Sequence, residues 1–366
     1  MLKDEQGFLY PHVDAERCIE CNLCVRVCPV LNPFPARLPQ DVYAAKNKDK
    51  AISMQSSSGG TFYALATQVL NDGGVVFGAK YNSDWNVEHG YTETIDGLEL
   101  FMGSKYMQSV IGDSYLQAQK FLEANRKVMF SGTPCQIAGL KHFLRKSYDG
   151  LLLTADVVCH GVPSPKVWDE YLTYILKPSG MNRSDLKSLS FRDKSTGWGD
   201  YSVQIQLKRS IKNGGDNNKS IFLQEVHHRN VYMTAFLKNY TLRPSCFNCP
   251  AKSGRSSSDI TIGDFWGIRS FYPNFYTREG VSLLLRYNDK VSLPSNQLEL
   301  LKSDYQKAID ANSCIERSTE RPSKYCDFWN LYEAQGIGAL LKFCKKARPN
   351  ILIRGYYKLL NLIKGV

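Results

Sequence analysis

No apolar run in the 366-residue chain is long enough to cross a bilayer, which takes about 20 residues. The chain opens on polar residues, Met1-Leu2-Lys3-Asp4-Glu5-Gln6, rather than on a leader peptide, and a cytoplasmic location is expected. Neither a G-x-G-x-x-G loop nor a Walker loop occurs, so the usual nucleotide fingerprints give no guidance. Low-complexity tracts are missing too. Acidic residues are in the minority, 35 against 46 basic, for a net charge of +11. That excess favours acidic partners or ligands without pointing to nucleic acid, and none is expected. With 43% hydrophobic and 22% charged residues, the composition is that of a globular chain.

Cysteine is not scarce: there are 11. In a cytosolic chain, clustered cysteines indicate metal or redox chemistry rather than disulfides. Cys18, Cys21, Cys24 and Cys28, followed by Pro29, spell the C-x2-C-x2-C-x3-C-P run of bacterial ferredoxins. Three thiolates on a tight loop can each take one iron of a cube. Zinc sites usually pair C-x-x-C units far apart, so 4Fe–4S is the preferred reading. In two-cluster ferredoxins the fourth cysteine serves the other cluster, yet the run occurs once here. Residues 1–31 therefore read as half of a ferredoxin domain, and a truncated start is one expectation. Val30 to Asp41, rich in proline, reads as a linker.

Beyond it, a mixed α/β body is expected over 42–303. Val75–Ala79, Lys127–Ser131, Leu151–Val158, Ser202–Leu207, Ile260–Gly263 and Ser282–Tyr287 read as strands. Gly60–Asn71, Ser114–Ala124, Gln136–Arg145 and Pro165–Ile175 read as helices. Cys135 and Cys159 follow strands, and Cys246 and Cys249 form a C-x-x-C. Spacing alone favours a metal site made of these four, with iron and zinc both open. His160, beside Cys159, suits either proton movement or loop orientation. Asp259 and Asp264 read as strand-end caps, and Trp266 as core or a ring packed on the site. Ser56-Ser57-Ser58-Gly59-Gly60-Thr61 enters a helix and suits a phosphate or a plain cap. Residues 304–366 read as a basic, helical C-terminal region. Leu340–Lys346 and Ile353–Leu360 are amphipathic and more suited to packing on protein than on a membrane. Cys314, Cys326 and Cys344 lack ligand spacing and read as structural.

Four segments recur together, in this order, in one family. They are Gly132-Thr133-Pro134-Cys135-Gln136, Cys159-His160-Gly161-Val162-Pro163-Ser164-Pro165, Arg243-Pro244-Ser245-Cys246-Phe247-Asn248-Cys249 and Ser258-Asp259-Ile260-Thr261-Ile262-Gly263-Asp264-Phe265-Trp266-Gly267. On these the chain resembles the coenzyme F420 hydrogenase/dehydrogenase beta-subunit family, from about Glu5 to about Tyr287. The resemblance implies FAD beside 4Fe–4S clusters, whose phosphates and thiolates would absorb positive charge. It makes Cys135, Cys159, Cys246 and Cys249 cluster ligands. Ser58, Gly59, Gly60, Lys105, Tyr106, Gln108 and Thr133 become candidate flavin contacts. It implies an oxidoreductase passing electrons between clusters and an organic hydride acceptor or donor, F420-like or another small molecule. Ferredoxin or another redox protein is the expected partner, in an oligomer or a complex. Two rivals remain: an electron-transfer subunit serving a catalytic partner, and a zinc-stabilised binding protein.

Overall fold

The computed structural model describes residues 1–211 and 219–344. Lys345, Lys346 and the amphipathic stretch Ile353–Leu360 lie outside them. In chain order the strands are β1 Leu2–Lys3, β2 Leu9–Tyr10, β3 Asp41–Asn47, β4 Val75–Tyr81, β5 Val87–Thr92, β6 Val128–Gly132 and β7 Leu152–Val157. Then follow β8 Leu186–Asp193, β9 Ser202–Ile211, β10 Lys219–Val226, β11 Ile260–Asp264, β12 Ser282–Arg286 and β13 Leu298–Ser303.

Eight strands form one mixed sheet, in the order β13-β3-β12-β11-β7-β6-β4-β5. Its centre, β11-β7-β6-β4, is parallel, and antiparallel strands flank it on both sides. Side chains alternate across a strand, so both faces are apolar here. Val76 and Met129 meet Leu65, Ala66, Val69 and Leu70 of the helix Thr61–Asn71 on one face. Val75, Phe77, Val128 and Phe130 meet Ala118, Leu122, Ile137 and Leu140 of the helices Ser114–Glu123 and Pro134–Leu144 on the other.

The antiparallel sheet β10-β9-β8 has its own aromatic core. Phe191, Val203 and Ile205 pack with Trp168 and Tyr171 of the helix Pro165–Leu176 and with Tyr232 and Phe236. The C-terminal helices Tyr325–Gln335 and Ile337–Cys344 close this core through Phe328, Trp329, Tyr332 and Leu340. So the described part of the C-terminal region packs on its own chain, and Cys344 is buried there. Every strand and helix expected between residues 60 and 287 is present. The sequence reading missed β3, β5, β8, β10 and β13, the flanking strands that complete both sheets.

The N-terminal segment is tied to the body before the cysteine run. Phe8 is fully buried. The Gln108 side chain accepts from Leu9 N at 2.8 Å and donates to Leu9 O at 3.4 Å. Arg243 donates to the same carbonyl and lies 4.1 Å from the Tyr10 ring centre.

Candidate functional site

Parallel strands present their carboxyl ends on one edge, the edge where open α/β sheets bind ligands. Three loops with chemistry leave that edge here. After β6, Thr133 caps the helix Pro134–Leu144, with Cys135 in its first turn. After β7 come Cys159 and His160, and after β11 come Phe265 and Trp266. The fourth element is the short turn Pro244–Asn248, carrying Cys246 and ending at Cys249. It is held to the β7 loop by the Arg243 N–H donating to Val162 O and by a bridge between Pro163 and Leu242.

The four dispersed cysteines come together. Cys159 interacts electrostatically with Cys246, Cys135 and Cys249, and Cys135 also with Cys246 and Cys249. Burial pushes the Cys159 and Cys249 thiols up and raises Cys246 to about 12. Left as thiols they stay protonated, whereas a bound metal would take them as thiolates. Lys252 lies at this centre, donating at 2.6 Å to both Cys159 O and Cys314 O. Among the described residues, no three His, Cys, Asp or Glu side chains are grouped to hold a metal ion. A cube differs from one ion in geometry. Each thiolate takes a different iron, so the sulfurs stand apart. Both ring nitrogens of His160 are engaged: Nε2 with Asn239 Oδ1 at 2.7 Å and Nδ1 with Cys314 Sγ at 3.8 Å. Cys314, read as structural, thus borders the centre.

The N-terminal cysteines differ. Cys18, Cys21 and Cys24 are exposed, and Cys28 is half-buried. Glu20 and Asn22 adopt left-handed backbone, φ 54° and 55°, which winds the loop before the one-turn helix Leu23–Arg26. A cavity of about 920 Å³ separates this helix from the opposite, amino-terminal edge of the sheet. Leu23 and Arg26 line it on one side, Lys141 and Arg145 on the other. The helix Pro134–Leu144 therefore runs from Cys135 to this cavity, about 16 Å at 1.5 Å per residue.

Beside the dispersed cysteines the same edge holds a polar, buried cradle. Ser58 donates to Val281 O, and the Ser282 hydroxyl accepts from Gly59 N. A Cβ on Gly59 would stand 2.4 Å from Ala45 O, so strand packing requires this glycine. Gly60, at φ 82°, turns the chain into its helix. Ser104 reaches the Ser57 hydroxyl at 2.8 Å. Half-buried Lys105 donates to Met102 O and Gly103 O, and burial lowers its pKa to about 7.

Sequence reasoning missed Arg192 and Lys194. Arg192 forms a two-pronged pair with Asp264 at 2.9 and 3.0 Å and donates to Ser57 O and the Tyr106 hydroxyl. Asp264 also accepts from Trp198 Nε1, and Trp198 stacks on Trp266 at 4.9 Å. Lys194 is buried with three carbonyl acceptors, Ser53, Ser58 and Glu279, and burial lowers it to about 7. Neither Lys105 nor Lys194 forms an ion pair among the described residues. Asn47 Nδ2, Thr61 Oγ1, Tyr81 OH and Arg192 Nε, on elements bordering the cradle, are buried without hydrogen-bond partners among the described residues. Ammonium groups in low-dielectric surroundings with no carboxylate partner, and donors with no partner at all, are costly unless a ligand meets them. The signal for Arg192 and Lys194 was an R-x-K at the end of an alternating strand, legible only once β8 is recognised.

Four thiols converging on a ligand-binding α/β edge suit a metal or redox centre, and the comparisons with known proteins bear on which. Residues 11–31 match the 4Fe-4S binding domain model. Residues 125–298 match the model for the C terminus of the coenzyme F420 hydrogenase/dehydrogenase beta subunit. A chain from the F420-reducing NiFe hydrogenase complex of Methanosarcina barkeri shares the fold, with TM-score 0.50 and 15% identity. That likeness covers 86% of this chain and 97% of the other. No curated protein matches. Among the described residues, no helix is long and apolar enough to cross a membrane.

Proposed function

We propose that the protein is a flavin-dependent iron–sulfur oxidoreductase, exchanging electrons between a redox-protein partner and a small organic hydride acceptor or donor. The observation that carries this reading is the adjacency of four converging thiols to a buried cradle that holds two lysines without carboxylate partners. When bound, a 4Fe–4S cube supplies single electrons, and FAD converts between single electrons and a hydride.

Cys135, Cys159, Cys246 and Cys249 are the proposed ligands of one cluster. Cys18, Cys21, Cys24 and Cys28 are the proposed thiolates of the N-terminal 4Fe–4S segment. Lys105 and Lys194 supply positive charge to the flavin's phosphates, while Ser58, Gly60 and Tyr106 border its cradle. Gly59 serves by letting the cradle pack on the sheet, and Gln108 by anchoring Leu9. His160 is assigned the orienting role, since both its ring nitrogens are engaged. The segments 1–31, 42–303 and 304–366 are proposed as units of function; the third shares the core of the second. An F420-like acceptor, a ferredoxin-type donor, assembly into a complex and a cytoplasmic location belong to the same reading.

Anaerobic purification with iron, sulfide and flavin counted tests it. Brown protein carrying flavin, and loss of one cluster's iron in Cys246→Ser, are expected. Iron without flavin would favour the electron-transfer subunit, and unchanged iron in the variant would refute the dispersed ligand set.

A further inference from the structure

Thr133 caps the helix that carries Cys135, and its hydroxyl has two neighbours. Cys135 Sγ stands 3.2 Å away and Gln136 Oε1 3.0 Å away. One hydroxyl proton serves one of them at a time. The surrounding hydrogen bonds fix the polarity. His89 Nε2 faces Ser131 O at 3.2 Å, and a carbonyl only accepts, so Nε2 carries the proton and Nδ1 is bare. Ser109, 3.0 Å from Nδ1, therefore donates to it. Its oxygen accepts from Gln136 Nε2 at 2.8 Å, which turns Gln136 Oε1 toward Thr133. There Oε1 already accepts the Thr133 backbone N–H at 2.9 Å. The hydroxyl is a second donor to an acceptor that has one. Burial holds His89 neutral, with its pKa lowered to about 4, so this polarity persists at ordinary pH.

We propose that Thr133 is a positioning residue for the Cys135 sulfur, turning its hydroxyl from Gln136 to the sulfur when Cys135 is a metal-bound thiolate. The free thiol has its own proton and can donate it to Thr133 Oγ1. A bound thiolate has none and can only accept. Gln136 Oε1 keeps the backbone N–H in both states, so the turn leaves no acceptor bare. The proposal rests on the reading of Cys135 as a cluster ligand. A hydrogen bond donated to a ligand sulfur stabilises the more negative, reduced cluster and raises its potential. No proton changes atoms: the oxidised centre takes one electron from the titrant, and the hydroxyl keeps its hydrogen.

The test is a redox titration of the full chain, purified anaerobically and followed by electron paramagnetic resonance, with iron counted. Thr133→Val should keep all its iron and move one cluster's midpoint to more negative potential, while Thr133→Ser restores the parent value. A plain helix cap would change stability and leave the midpoint in place. Full iron with an unmoved midpoint in Thr133→Val overturns the proposal. Full iron in Cys135→Ser overturns the ligand reading instead, and the proposal with it. Should Thr133→Val fail to fold, the unmodified protein exchanged into D2O decides. An exchangeable proton coupled to the cluster is expected, and its absence refutes the hydroxyl's role.

Discussion

The cysteines at 18, 21, 24 and 28 share one largely exposed loop and a single helical turn, whereas Cys135, Cys159, Cys246 and Cys249 come from three separated elements, with Cys135 exposed and the other three half-buried. The first group owes its spacing to the local chain. Two left-handed residues and one turn of helix are enough to set it. The second owes its spacing to topology: two parallel strands end side by side, and a distant turn is pinned beside them. A surface centre can be written in a dozen contiguous residues. A half-buried one drawn from distant segments needs a sheet to assemble it, and the raised thiols of Cys159, Cys246 and Cys249 then carry an electrostatic cost that metal ligation relieves.

The sharpest way to break this contrast is alkylation of the metal-free protein. A thiol at about 12, such as Cys246, presents roughly a thousandfold less thiolate than an ordinary thiol near 8.5, and thiolate is the reactive form. Exposed Cys18, Cys21 and Cys24 should be labelled first at pH 8, with Cys159 and Cys246 lagging far behind. Timed labelling with peptide mass spectrometry reads it. Equal rates at Cys21 and Cys246 would mean that the second group is not a buried centre.

The same contrast explains what the sequence disclosed. The first cysteine run is a contiguous pattern and was legible at once. The central strands were also legible, since Val75–Phe77 and Val128–Phe130 are apolar on both faces. Flanking strands such as β3, with Asp41, two alanines and Lys46, lack that signature and take their shape from β12 and β13 on either side. The cradle's cations were hidden for a related reason. Arg192 and Lys194 end a strand of the smaller sheet, and only tertiary packing brings them to the edge of the larger one. The loop Ser56–Gly60 was visible as helix-entry chemistry, but spacing had no means of revealing that Gly59 answers to Ala45 O.

Ion pairs extend the comparison. Arg192 and Asp264 are buried at the sheet edge, with side chains 4% and 14% exposed, while Arg17 and Asp14 beside the cysteine run are 89% and 57% exposed. Removing one partner of a buried pair strands the other charge and costs about 3–5 kcal/mol. Arg192→Met should lower thermal stability by about that amount and weaken flavin retention. Arg17→Ala should leave the melting temperature unmoved, since exposed pairs add little. Calorimetry of both variants checks this, and a benign Arg192→Met would mean that the cradle is not organised around the pair.

The smallest expected effect separates the cradle from the rest by pH. Burial lowers Lys105 and Lys194 to about 7, against about 10.4 in the unfolded chain. Above pH 7 the unfolded state therefore holds more protons than the folded one, and stability rises with pH. His89, lowered to about 4, has its own window between there and about 6.5, and is neutral in both states by pH 7.5. The buried thiols work in the opposite sense. Their folded pKa values are raised, so the unfolded chain loses protons first and stability falls once pH passes about 8.5. Between about 7 and 8.5 the two lysines dominate. The ligand-free melting temperature should climb through that interval, more shallowly in Lys105→Met. A phosphate-bearing ligand in the cradle stabilises the charged ammonium, returns its pKa upward and flattens the climb. Melting curves at pH 7.0, 7.7 and 8.4 with and without added FAD measure the difference. An identical slope in the parent protein with and without saturating FAD would mean that the lysines do not face the phosphates.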